Sequence, residues 1–129
     1  ALPARHTVPA VGFAVRGRTG WWVFSGDTER NQPFWDRVNA MPVSYLVIET
    51  AFSNRERELA RRSLHLSPDT LAQELAHIDP SNRYPIYITH TKPSETELIM
   101  EEIRQLDGTS GSLRPHDIRW LCAGQVLEV

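Results

Sequence analysis

The sequence predicts an α/β domain with a mixed sheet and flanking helices, because short apolar segments alternate with helical patterns along most of the chain. Three of these segments run directly into a residue that can bind a metal ion or move a proton. They are WWVFS before Gly26 and Asp27, YLVI before Glu49, and PIYIT before His90. Residues beyond the carboxyl ends of neighbouring strands meet at one rim of an open α/β sheet. We therefore expect a functional site at that rim.

The composition is that of one ordinary globular domain and excludes several classes of protein. The chain has 129 residues, and its net charge of -2 disfavours a nucleic-acid-binding module, which carries a basic excess. No apolar run approaches the roughly 20 residues of a membrane span. The single cysteine, Cys122, excludes an internal disulfide and a cysteine-based zinc site. We expect a cytoplasmic protein, with the periplasm as the alternative.

The first third of the chain predicts a hairpin, a short helix and a buried strand. Two apolar stretches, 7–15 and 21–25, flank residues 16–20, whose two glycines suit a tight turn. Residues 33–40 predict a short helix that ends before the next proline. The continuous apolar run 45–48 is typical of a strand that is covered on both faces.

The middle of the chain predicts two helices in succession. Residues 54–63 form a charged helical stretch, and Ser67 and Pro68 then suit the N-cap and first position of a new helix. Its apolar face is expected to contain Leu71, Leu75 and Ile78.

The last part of the chain predicts a strand, a helix and a short hairpin. The strand at 85–89 is followed by Ser94 and Glu97, which have the spacing of a capping box at the start of a helix. Residues 107–112 indicate a flexible connector, and residues 118–129 indicate a hairpin that turns at its glycine.

Asp27 and His90 have the chemistry of metal ligands. An aspartate after a glycine at a strand end could bridge two metal ions, although an aspartate that caps a helix or closes a turn is an equal alternative. A neutral imidazole at the rim suits zinc, and Lys92 could bind a phosphate oxygen. For an isolated histidine the favoured alternative is a bond to a backbone carbonyl, with Lys92 in solvent.

The four remaining histidines differ in the chemistry that the sequence predicts for them. Glu49 ends an apolar strand, where a carboxylate without a partner would be costly, and His65 is its best candidate partner. Such a pair could carry a proton to a leaving oxygen. His6 lies near the start of the chain and would by itself be interpreted as a solvated side chain. We expect His77 and His116 to be ordinary surface residues.

Together these segments resemble the metallo-β-lactamase superfamily of metallohydrolases over nearly the whole chain. Within it they are most similar to the class II cyclic-nucleotide phosphodiesterases. Five motifs stand in the expected order, and the H-x-K-P ending distinguishes this family from its nearest relatives. They are H-T-V-P-A-V-G-F at His6, F-S-G-D-T at Asp27, I-E-T-A-F-S-N at Glu49, H-L-S-P-D-T-L at His65 and Y-I-T-H-T-K-P at His90.

The resemblance implies a role for each residue. His6 and His90 would each ligate one of two divalent ions, and Asp27 would bridge them. Zinc is the expected metal, with manganese and iron as alternatives. Glu49 and His65 would assist proton transfer, by similarity to the related tRNA 3′-end endonucleases. The implied reaction converts a 3′,5′-cyclic nucleotide such as cyclic AMP to its 5′-monophosphate.

The motif H-x-H-x-D-H, which supplies further ligands in this family, does not occur in the sequence. Two histidines and one bridging aspartate offer about four bonds to metal, whereas two tetrahedral zinc ions need roughly eight. The resemblance therefore implies that residues 1–129 form the carboxyl-terminal half of one αββα sandwich of the metallo-β-lactamase type. We expect this half to be inactive alone and the upstream half to be its partner.

Two other functions stay open at this point. The first is a tRNA 3′-end-processing endonuclease of the same superfamily, although the slight negative charge of the chain argues against a nucleic-acid substrate. The second is a catalytically incompetent fragment that acts as an assembly module. The expected partners are the cyclic nucleotide and the upstream half, and a second copy of the chain is an alternative. We expect no membrane partner.

Overall fold

The computed structural model describes residues 1–107 and 115–129, which form an α/β domain on one six-stranded mixed sheet. The strands are β1 Leu2–Pro3, β2 Val11–Arg16, β3 Trp21–Phe24, β4 Val43–Glu49, β5 Ile86–Thr89 and β6 Ile118–Trp120. They lie across the sheet in chain order. Strands β1, β2 and β3 pair antiparallel, and β3, β4, β5 and β6 pair parallel. The predicted α/β class and mixed sheet are confirmed.

Helices connect the parallel strands, as is usual for such crossovers. The helices are α1 Gln32–Val38, α2 Arg57–Ser63, α3 Pro68–Leu75 and α4 Thr96–Leu106. Helix α1 joins β3 to β4, α2 and α3 join β4 to β5, and α4 leads from β5 towards β6. Short 3-10 turns at Asn54–Glu56 and Pro93–Glu95 precede α2 and α4. No helix in the described part of the chain is long and apolar enough to cross a membrane.

The hydrophobic core lies between one face of the sheet and helices α1, α3 and α4. Alternate residues of β4 and β5 point into it, as the period of a strand dictates. The neighbouring pairs Leu46–Ile86 and Ile48–Ile88 are fully buried there. The helices contribute Phe34, Trp35, Val38, Leu71, Leu75, Ile99 and Ile103.

The opposite face of the sheet is rich in aromatic residues, and we call it the aromatic face. Its strand neighbours include the pairs Phe13–Phe24 and Trp22–Tyr45. Phe13 is 49% exposed, and Trp22, Phe24 and Tyr45 are half-buried. The ring centroids of Trp22 and Phe24 lie 6.1 Å apart in a stacked arrangement. An apolar sheet face of this kind normally packs against another layer.

Several local predictions about the elements are correct. The predicted turn at 16–20 joins β2 to β3, and β4 is buried along its second half. Ser67 lies at the N-cap of α3, and its backbone N–H donates to Thr70 Oγ1 at 2.9 Å. The strand predicted from residue 7 is β2, which begins at Val11. The short strand β1 was not predicted.

Other local predictions about the second half of the chain are wrong. Ser94 and Glu97 form no capping box, because the 3-10 turn moves the helix start to Thr96, whose Oγ1 lies 2.8 Å from Thr91 Oγ1. The hairpin at 118–129 does not form. β6 pairs in parallel with β5, and after the turn at Gly124 no second strand follows. Residues 108–112 of the predicted connector lie outside the described residues.

His116 is not the surface residue that we expected. Its side chain is only 17% exposed, and Nδ1 lies 2.7 Å from Asp107 Oδ1. The cause is the burial of Asp107, whose carboxylate at the end of α4 needs a hydrogen-bonding partner.

Tyr84 gives a test of the packing beneath the sheet. Its hydroxyl is buried and has no hydrogen-bond partner among the described residues, and burial raises the pKa of Tyr84. Tyr84→Phe should therefore raise the free energy of unfolding by about 1 kcal/mol at pH 7. Because the folded-state pKa is above the ordinary 10, the native protein should also lose stability as the pH rises beyond 10, and this loss should be smaller in the variant.

Urea denaturation at pH 7 and at alkaline pH measures both effects. The control is Tyr45→Phe, on the half-exposed aromatic face, which should change the free energy of unfolding by less than about 0.5 kcal/mol. A Tyr84→Phe protein that is less stable than the native one would contradict the assignment.

Candidate metal centre

The carboxyl ends of β3, β4 and β5 meet at one rim, as the sequence predicted. Asp27, Glu49 and His90 lie there, and the connection between α2 and α3 adds His65. Asp27, His65 and His90 each offer a ligand atom, and these atoms all lie within 4.8 Å of one another. The rings of His65 and His90 stack at 5.2 Å between centroids. We call these three residues the ligand cluster.

The position of Asp27 depends on the glycine before it. Gly26 has a φ of +64°, in the left-handed region, and a Cβ atom there would lie 2.5 Å from the carbonyl oxygen of Val11. Only glycine combines this conformation with so close an approach of two backbones. The Asp27 carboxylate is 39% exposed at the rim, with Oδ1 3.7 Å from His90 Nδ1.

His90 adopts an unusual backbone conformation at the end of β5. Its φ is +61°, which is costly for a residue with a Cβ atom. Hydrogen bonds on both sides hold the chain there: Thr50 N–H donates to Thr89 O at 3.1 Å, and Lys92 N–H donates to Ala51 O at 3.0 Å. Backbone strain of this kind is concentrated at functional sites. The His90 side chain is half exposed and accessible to a ligand.

The predicted pair of Glu49 and His65 is present, with Oε1 2.8 Å from His65 Nδ1. The Glu49 carboxylate is fully buried and also accepts hydrogen bonds from the backbone N–H groups of Thr28, Ala51 and Leu66. Burial raises the pKa of Glu49, and the bond to His65 opposes that change. The hydrogen bond and charge of Glu49 in turn raise the pKa of His65.

The bond from Glu49 also orients the imidazole of His65. With Nδ1 engaged, Nε2 is the ring nitrogen left for another partner. A histidine held by a carboxylate in this way is a common arrangement in metal sites, because the second bond fixes both tautomer and ring direction. The sequence predicted His65 as a proton carrier and did not predict its place in the ligand cluster, since no pattern in the chain brings it to Asp27 and His90.

His6 lies beside the ligand cluster but outside it. Its ring centroid is 4.7 Å from that of His65, and its Nδ1 is 3.1 Å from the carbonyl oxygen of Leu64. The structure therefore brings His6 to the site that the sequence predicted, without placing a ring nitrogen among the three grouped ligand atoms.

Lys92 is bound to a carboxylate in this structure. Its Nζ lies 3.0 Å from both carboxylate oxygens of Glu56, which raises the pKa of Lys92. Its role towards a phosphate group stays a prediction. On helix α2, Arg61 and Arg62 both pair with Glu58, as expected of a solvated helix face.

The ligand cluster offers three donor atoms that could hold one metal ion. Two imidazoles and one carboxylate are a known set for catalytic zinc, which keeps its remaining position for water or substrate. A second ion would need ligands beyond the cluster, and His6, whose ring contacts that of His65, is one candidate.

Comparisons with known proteins gave no family assignment. The chain matches no protein-family model, and no curated protein matches it significantly.

Removal of a ligand should weaken zinc binding by the chain. We expect Asp27→Asn and His90→Ala each to lower the affinity for Zn²⁺ at least about 10-fold, because each removes one of three protein ligands. Competition with a chromophoric chelator measures the affinity. His77→Ala is the matched control, because His77 lies outside the cluster and the substitution removes only contacts away from it, with Glu74 at 3.8 Å and with the ring of Trp35 at 6.5 Å between centroids. Equal losses in all three variants would refute the site.

Glu49→Gln should lower the pKa of His65 towards its usual 6.5, because the carboxylate that stabilises the imidazolium is removed. In the native chain this stabilising effect is complete below pH 6.5 and is lost as the pH rises through the raised pKa of His65. NMR titration of the metal-free protein measures the change. Glu56→Gln, which alters an exposed pair on the rim, is the control and should leave the His65 titration unaltered. An unchanged titration in Glu49→Gln would contradict the assigned pair.

Proposed function

We propose that this chain supplies half of the active site of a metal-dependent phosphodiesterase that hydrolyses 3′,5′-cyclic nucleotides to 5′-monophosphates. The observation that carries the proposal is the convergence of Asp27, His65 and His90 on one rim, behind a buried carboxylate that orients a histidine. The order of the five motifs supports the same family. When bound, divalent ions of this kind supply Lewis acidity towards a phosphoryl group and lower the pKa of water.

In the complete site Asp27, His90 and His6 would hold the metal ions, with zinc as the expected metal. Glu49 and His65 then handle the proton of the reaction. Glu49 fixes Nδ1 of His65 at 2.8 Å and raises its pKa, so that a protonated Nε2 can donate to the leaving 3′ oxygen. The same Nε2 cannot bind metal and carry a proton together. His65 would therefore bind metal only where ligands from outside the chain are absent.

The phosphate group of the substrate has a cation within reach of the rim. Lys92 follows His90 by two residues, and its ammonium group is exposed and paired with Glu56. A surface pair of this kind contributes little to stability, so that exchange of the carboxylate for a phosphate oxygen is inexpensive. We assign Lys92 to substrate binding on this ground.

An upstream half would complete the metal site and cover the aromatic face. The ligand count requires about four more bonds to metal than the chain can give. The face that contains Phe13, Trp22 and Phe24 is apolar and partly exposed, which is typical of a surface that packs against another layer. A second sheet with its own helices, carrying H-x-H-x-D-H, would meet both needs in an αββα sandwich.

Hydrolysis of cyclic AMP and cyclic GMP by the chain joined to its upstream half tests the proposal. We expect turnover that falls at least about 1,000-fold in Asp27→Asn and about 100-fold or more in His65→Ala, because the first loses metal and the second loses its proton donor. Lys92→Ala should chiefly raise KM. His77→Ala is the control, with activity close to that of the native protein.

Two results with other substrates would contradict the proposed phosphodiesterase activity. Cleavage of a tRNA precursor without turnover of either cyclic nucleotide would replace the proposal by a tRNA-processing endonuclease. Metal binding without hydrolysis of any phosphodiester would favour an assembly module instead.

A further inference from the structure

The carboxylate of Asp27 is held only indirectly. Among the described residues it accepts no hydrogen bond, and its ion-pair partner His90 is 3.7 Å away. Its direction is therefore set by the backbone on either side of it. On the preceding side, Gly26 packs closely against Val11. On the following side, Thr28 bonds the buried carboxylate of Glu49.

Thr28 is buried, with 3% of its surface exposed, and bonds in two directions. Its backbone N–H donates to Glu49 Oε1 at 2.9 Å, the same oxygen that binds His65. The loop that carries Asp27 is thus tied to the carboxylate that orients His65. This connects two members of the ligand cluster through one oxygen atom.

The hydroxyl group of Thr28 faces the segment that carries His6. Thr28 Oγ1 accepts a hydrogen bond from Arg5 N–H at 2.9 Å and donates to Glu29 O at 2.8 Å. Glu29 N–H in turn donates to Arg5 O at 2.8 Å. Both backbone groups of Arg5, the residue next to His6, are therefore bound to the Asp27 loop.

We propose that Thr28 is a positioning residue of the metal centre, whose hydroxyl fixes the His6 segment against the loop that carries Asp27. The inference rests on the proposed metal-dependent function. Removal of the hydroxyl leaves the partly buried N–H group of Arg5 and carbonyl group of Glu29 without that partner, so that the 4–6 segment and the loop separate or shift. The ligand atoms then lose their common geometry although none of them has been changed.

Thr28→Val tests this directly, because valine has nearly the same shape and lacks the hydroxyl. We expect the affinity of the chain for Zn²⁺ to fall about 10-fold or more, as residues that support metal ligands typically show. Thr28→Ser keeps the hydroxyl and should bind Zn²⁺ within about 2-fold of the native chain. Amide hydrogen exchange of the metal-free protein should be faster at Arg5 in the valine variant and unchanged in the serine variant.

Asn39→Ala separates positioning from general stability. The Asn39 side chain bonds His77 O at 2.8 Å and Asp79 N at 3.1 Å, away from the rim, so its loss should lower the melting temperature and leave Zn²⁺ affinity within about 2-fold. Equal affinity of Thr28→Val and the native chain, or an equal loss in Asn39→Ala, would overturn the inference. A native chain that binds no zinc would instead overturn the proposed function.

Should Thr28→Val fail to fold, the native chain still decides the question. Zinc should slow amide exchange at Arg5, Thr28 and Glu29 together, because occupation of the site stabilises the network that supports it. Exchange at these three amides that does not respond to zinc would overturn the inference.

Discussion

The buried carboxylate of Glu49 is the interaction on which the arrangement of the site depends. It stands at the end of β4 and accepts hydrogen bonds from Thr28, Ala51, His65 and Leu66. These donors belong to the loop after β3, the loop after β4 and the connection between α2 and α3. A charge or a strongly polar group at full burial is tolerated only when it is satisfied in this way. One carboxylate therefore brings three loops of the rim into a single geometry.

The hydrogen bonds to Glu49 explain why residues that are distant in sequence lie together at the rim. Asp27 and His65 are distant in sequence, yet Thr28 and His65 both bind Oε1 of Glu49. His90 completes the set from the next parallel strand, with a backbone conformation that is costly away from a functional site. The scaffold consists of regular strands and helices, whereas the site consists of loop residues fixed by buried hydrogen bonds.

The parts of the fold that follow from local pattern were predictable. The apolar runs ahead of Asp27, Glu49 and His90 gave the three parallel strands and the rim at which they end. Burial of an ionisable group requires a partner, which led to the pair of Glu49 and His65 before any geometry was known. The helix starting at Pro68 followed from proline and serine in their preferred positions.

The predictions that were wrong or incomplete concern contacts between distant segments. The Ser94–Glu97 box was displaced by a 3-10 turn, and the partner of His116 is Asp107 at the end of α4. Neither appears as a spacing in the sequence. The grouping of His65 with Asp27 and His90 likewise depends on contacts between distant segments, among them the buried bond from Glu49 that orients the His65 ring.

Metal binding at this rim is tested most directly by the position of a bound zinc ion. Crystals grown with Zn²⁺ and measured at the zinc absorption edge should show an anomalous peak between Asp27, His65 and His90, about 2.0–2.2 Å from nitrogen and oxygen ligands. A peak found only elsewhere, such as beside the buried pair of Asp107 and His116, would contradict the claim.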